Sequence, residues 1–283
     1  MKRLLVTLTA ALGLATALPL AAQTIPAAEL SHVHGLAADP LDQGGLLVAT
    51  HHGLWRLGSK GVAAPVSVSR DDFMGFVAHP TDRKIFYASG HPARGGNLGF
   101  IASTDGGQNW TAISPGLDGP VDFHQMDVSK ADPQVIYGVH GTIQRSADGG
   151  KSWRASGRPP KGIIALAASA SDPNRLYAGT EEGLVRSNDG GATWQAAHLM
   201  RRPATLVHTT KSGQLYAFVV GTGLIVADEA NMTWKLVNAD FADRVLLHLA
   251  HDPAQPQRLF AYDNKRRFLH SDDGGRSWKE MGK

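Results

Sequence analysis

Thirteen histidines and no cysteine among 283 residues decide which metal and acid–base chemistry this chain can attempt. Neutral imidazole is the commonest metal ligand and titrates near physiological pH. The missing cysteines exclude thiolate metal sites, a disulfide framework and a lipid-anchored leader. In the first half of the chain the histidines punctuate short apolar runs. These read H-V-H-G-L at His32–Leu36, V-A-T-H-H at Val48–His52, Y-A-S-G-H-P at Tyr87–Pro92, F-H-Q-M at Phe123–Met126 and Y-G-V-H-G at Tyr137–Gly141. Met74, in F-M-G-F, adds a thioether. Imidazoles with a thioether favour copper; carboxylates beside them would suit zinc or iron.

Such residues cooperate only if the fold brings distant runs together, and the chain repeats itself in a way that does so. Ser-x-Asp-Gly-Gly-x-x-Trp occurs at Ser103–Trp110, Ser146–Trp153, Ser187–Trp194 and Ser271–Trp278, with an eroded copy at Ala227–Trp234. The five tryptophans are 43, 41, 40 and 44 residues apart. A period of about 40–50 residues is the mark of a β-propeller. The Ser and Asp side chains can cap backbone amides, the glycines permit positive φ, and the Trp packs between blades. Six four-strand units fit between residues 23 and 283 with no strand left over. The expectation is an all-β, six-bladed propeller in one domain, closed by blade six against blade one with help from Ile25–Leu30.

Registering the innermost strands on their apolar cores aligns His34, Met74, His124 and Ile164. Blades four to six then present Ile164, Ala204 and Leu247. The ends of the second strands carry His51, His52, His91 and His140 to the same face, with His32, Asp72 and Asp122 one strand pitch from the inner trio. The expected metal ligands are therefore His34, Met74, His124, His51, His52, His91 and His140, holding copper, with zinc or iron as alternatives. His79 and His251 fall in turns of the opposite face and His198 and His270 on outer strands, where they read as ordinary. The aspartates of the octets read as structural.

Residues 1–22 read as a secretory leader: Lys2-Arg3, an apolar run and small residues before Gln23. The expectation is a chain exported to the periplasm, with no membrane span after cleavage, and monomeric. Without Lys2 and Arg3 the balance is 26 basic against 25 acidic side chains. No basic run with interleaved aromatics appears, so nucleic acid is not an expected partner.

The octet resembles the Asp-box, or BNR repeat, and the chain as a whole resembles exported bacterial Asp-box proteins catalogued as glycosylhydrolase-like. That resemblance implies a propeller. It leaves activity open, because sialidases and other glycoside hydrolases, the sortilin ectodomain and a photosystem assembly factor share the box. Sialidases clamp a carboxylate with three arginines and use a Tyr nucleophile backed by Glu, with an Asp acid/base. Their Arg-Ile-Pro motif is missing here, where His32–Leu36 stands. Tyr262, Arg244, Arg94 and Glu181 are the residues such an enzyme would have to use. Three readings follow: a metal binder, a sialidase-like glycoside hydrolase acting on glycans, or a non-catalytic scaffold for a protein partner.

Overall fold

A computed structural model describes residues 23–283; the expected leader at 1–22 lies outside them. Six antiparallel sheets stand in a ring and form a six-bladed β-propeller, with a single 3-10 turn at Ala27–Glu29 as the only helix among the described residues. Blade four shows the plan. Its strands Ile163–Ala168, Leu176–Thr180, Gly183–Ser187 and Gln195–Ala196 pair in sequence order from the channel outward. Each innermost strand touches that of the next blade, and Leu246–Asp252 of blade six touches Val33–Ala38 of blade one to close the ring. Leu36 and Val48 pack on Phe260 and Tyr262 across that seam. As expected, the segment after Gln23 helps: Ile25 pairs with Ala63 as a fifth strand of blade one, and Leu30 is buried in the seam.

The octets hold the outer turns by local hydrogen bonds. Ser103 Oγ donates to Asp105 Oδ1 at 2.8 Å and accepts from the Gly107 amide at 2.9 Å, while Asp105 Oδ1 accepts the Asn109 amide at 3.0 Å. The same bonds recur from Ser146, Ser187 and Ser271. Hydrogen bonds led by the Ser152 and Ser187 hydroxyls hold Asp148 and Asp189 down at about 2. These carboxylates are saturated acceptors and structural. Each octet tryptophan packs against its own blade and the preceding one, half-buried over the seam.

One irregularity positions the site. Blades one, four, five and six each carry a β-bulge near the start of the innermost strand, which leaves His34, Ile164, Thr205 and Leu247 without a cross-strand partner. A bulge bends the strand and re-aims the extra side chain. Blade five thus differs from expectation, because Ala204 pairs with Val219 and Thr205 takes the bulge. Blade two bulges later, between Met74 and Val77, so Met74 stays in register opposite Ser89.

Candidate functional site

The mouth at which the innermost strands begin gathers side chains from blades one, two and three. In blade one, the H-V-H-G string lies against blade two because Gly35 has no side chain; a Cβ there would meet Phe76 Cβ and O at 2.9 Å. His34, one residue earlier, is carried over Asp72 at the start of blade two's inner strand. His34 Nε2 lies 3.5 Å from Asp72 Oδ1. His51 follows the second strand of blade one, and its Nε2 lies 3.5 Å from Asp72 Oδ2. Gly90, at φ 120°, presses against the Asp72 carbonyl, where a Cβ would come within 2.0 Å. One ligand atom from each of His34, His51 and Asp72 falls within 4.8 Å of the other two. The His51 ring is sandwiched: His32 stacks on it at 4.3 Å and His34 at 4.6 Å.

Electrostatically the trio is under-satisfied. Burial, reinforced by His51 and other neighbouring imidazoles, pushes His34 down to about 3, so it is neutral at any physiological pH. Burial also raises Asp72 above its ordinary value, with His51 and His91 opposing. His34 Nε2 and Asp72 Oδ1 are both buried without a hydrogen-bond partner. Ligand atoms about 2.0–2.2 Å from a tetrahedral ion stand roughly 3.3–3.6 Å apart, and the 3.5 Å gaps from His34 to Asp72 Oδ1 and from His51 to Asp72 Oδ2 are of that size.

One blade further round, Asp122 meets His91 Nε2 at 3.0 Å and His124 Nε2 at 2.8 Å. His140 Nδ1 donates to the Asp122 carbonyl at 3.1 Å. Five of the seven expected ligands, His34, His51, His91, His124 and His140, are thus brought to one mouth around two aspartates. His52 turns outward, and its ring makes no bond or stacking contact among the described residues. Met74 is buried in its strand, and the channel lining in blade two begins at Gly75. The aspartates are the centres of the arrangement, a role that an apolar-core register could not assign. The ordinary histidines behave as read at His79, which accepts the Thr81 and Asp82 amides in a turn. His251 does not: it lies in the inner strand of blade six and bonds His208 at 2.9 Å.

A cavity of about 230 Å³ runs down the propeller from His34 and His124 to His208, His251 and Lys130 at the other end. The residues a sialidase-like enzyme would need have separate surroundings, and Arg94 is exposed in the loop after His91. Tyr262 is packed in the seam against Phe268, Arg244 stacks on Phe241, and Glu181 packs beside Gly162.

No family model and no curated protein matches this chain. Solved structures do. The GH74 xyloglucanase of Xanthomonas campestris superposes with a TM-score of 0.56 at 19% identity, over 92% of this chain and 46% of that one. The GH74 enzyme of Niastella koreensis gives 0.59 at 17%, over 88% and 45%. YCF48 bound to a D1 peptide gives 0.54 at 18%, over 92% and 86%. The chain spans under half the length of both GH74 enzymes, and at these identities the likeness shows the fold alone. Those neighbours include enzymes and a peptide binder, so the shared fold leaves function open.

Proposed function

We propose that this chain is an exported Asp-box propeller that binds a transition metal, with copper favoured, through His34, His51 and Asp72. The observation that carries the reading is the pair of buried, unpartnered atoms, His34 Nε2 and Asp72 Oδ1, facing each other beside His51. Burying polar atoms unpaired costs free energy that a bound cation recovers. Two imidazoles and a carboxylate suit cupric ion or zinc. Export rests on the leader at 1–22, which also points to the periplasm. Among the described residues no helix is long and apolar enough to cross a membrane.

A glycoside hydrolase reading has fold neighbours behind it but needs a carboxylate free to protonate a glycosidic oxygen. Here each mouth aspartate lies within 3.5 Å of two imidazoles, a setting in which a cation competes for the carboxylate. Titration calorimetry of untagged protein with cupric and zinc ions tests the proposal. Tight binding that is lost in Asp72→Asn is expected. Equal binding by the wild type and this variant would overturn it.

A further inference from the structure

The opposite end of the channel repeats one polar position in all six blades. The residue at or just after the end of each innermost strand caps the turn that follows. Asp39 Oδ1 accepts the Leu41 amide, Ser129 Oγ that of Asp132 and Ser169 Oγ that of Ser171. Thr210 Oγ1 accepts the Gln214 amide and Asp252 Oδ1 that of Ala254. Blade two puts an imidazole in this place. His79 Nδ1 accepts the Thr81 amide at 3.2 Å and the Asp82 amide at 3.0 Å. A neutral imidazole has one accepting nitrogen and one donor. Two amide donors at Nδ1 therefore leave the proton on Nε2. Burial lowers the pKa of the ring, with Lys211 pressing the same way and Asp82 opposing. His79 thus caps its turn as Ser or Asp does elsewhere and keeps an N–H donor besides, on a residue that lines the cavity.

The next residue along is proline or alanine in blades one, two, four and six, and lysine in blades three and five. Lys130 and Lys211 line the cavity together with His79 and Arg83. Two of these three charges are answered. Lys130 pairs with Asp127, and Arg83 Nη2 lies 3.8 Å from Asp252 Oδ1. Among the described residues exposed Lys211 has no carboxylate within ion-pair distance. Asp82, the other acid near His79, accepts the Lys84 amide in its own turn and stands outside the cavity lining. Three cations against two carboxylates leave one positive charge at this mouth. Inward of it the walls are apolar, built by Phe76, Leu166, Leu206 and Leu249. A ligand matched to this end carries a single negative charge on an apolar body. A phosphate monoester, closer to a dianion at pH 7, would bring charge that nothing here meets.

We propose that this mouth binds a small aliphatic carboxylate, its head group held by the Lys211 ammonium and the His79 Nε2–H and its chain directed down the channel. The site shares no residue with the metal proposal, so either can fail without the other.

Titration calorimetry with butanoate, hexanoate and octanoate tests it. One carboxylate per chain is expected, with affinity rising about fourfold for each methylene that leaves water. Lys211→Gln, at an exposed side chain, should weaken hexanoate binding by about tenfold or more. His79→Ser should weaken it too, because serine keeps the cap, as Ser129 and Ser169 do, but lacks the second N–H. Hexanol and hexyl phosphate should bind more weakly than hexanoate, and a chelator should change nothing. No binding, an affinity indifferent to chain length, or hexanoate binding unchanged in either variant would overturn the site. Tighter binding of hexyl phosphate or hexanol would overturn the ligand class. Loss of hexanoate binding on adding the chelator would place the carboxylate on a metal ion instead and overturn the proposal.

Discussion

At one mouth of the channel imidazoles face carboxylates; at the other they face each other and a lysine. His208 Nε2 and His251 Nδ1 share a hydrogen bond at 2.9 Å. Burial pushes His251 down to about 4 and His208 well below its ordinary value, with Lys130 pressing both the same way. Lys130 is itself paired with Asp127, which spends that carboxylate. His34 is comparably buried and neutral, yet it meets Asp72 with no ammonium in between. The side chain is the same and the company differs. On the metal-binding proposal, the histidine beside a buried carboxylate that lacks a proton donor serves a cation, whereas the pair beside a lysine whose charge Asp127 already answers serves packing.

The sharpest way to break this comparison is to delete each pair. His34→Ala with His51→Ala should weaken metal binding by more than about a hundredfold, since even the groups that merely orient ligands commonly cost 10–100-fold. His208→Ala with His251→Ala should leave the affinity unchanged. A loss at the far end equal to that at the near end would dissolve the distinction.

Acid should come next in size. In the unfolded chain histidine titrates near 6.5. Folded His248 and His251 titrate at about 4 because burial opposes their charge. Between those values the unfolded chain takes up protons the folded chain refuses. Stability is therefore full above pH 6.5 and declines as pH falls toward 4. From pH 7 to 5 the two groups together should cost roughly 4 kcal/mol, with His208 and metal-free His34 adding in the same direction. Urea midpoints at the two pH values check this. A slope that does not shrink in His251→Gln would show the wrong groups had been named.

Lys130→Gln should raise the His208 and His251 titrations by removing an adjacent positive charge, an effect read from imidazole resonances by NMR. No change would mean that burial alone sets them. Smallest is Met74→Leu, which should leave binding of either copper ion unchanged, because Met74 is buried in its strand and outside the channel lining. Weakened binding of either ion would place Met74 among the ligands.

The fold was legible because its signal is local. Each octet closes its own turn through bonds spanning two to four residues, so Ser103-x-Asp105-Gly106-Gly107 declares its conformation without a partner. The face to which His34, His51, His91 and His124 point was legible as well, since strand period and blade order fix it. The centre of the site was not. A bulge at His34 and a later one after Met74 break the common register, which moves Asp72 into the role assigned to the methionine. The pairing of His208 with His251 joins neighbouring blades across 43 residues, and no run of sequence shows it.

The account's central claim is that a cation belongs between His34, His51 and Asp72. Crystals grown with cupric or zinc ion and measured across the metal's absorption edge test it most directly. An anomalous peak about 2.0–2.2 Å from His34 Nε2, His51 Nε2 and an Asp72 oxygen is predicted, with none at His208 and His251. A mouth without a peak, or a peak only at the His208–His251 end, would contradict it.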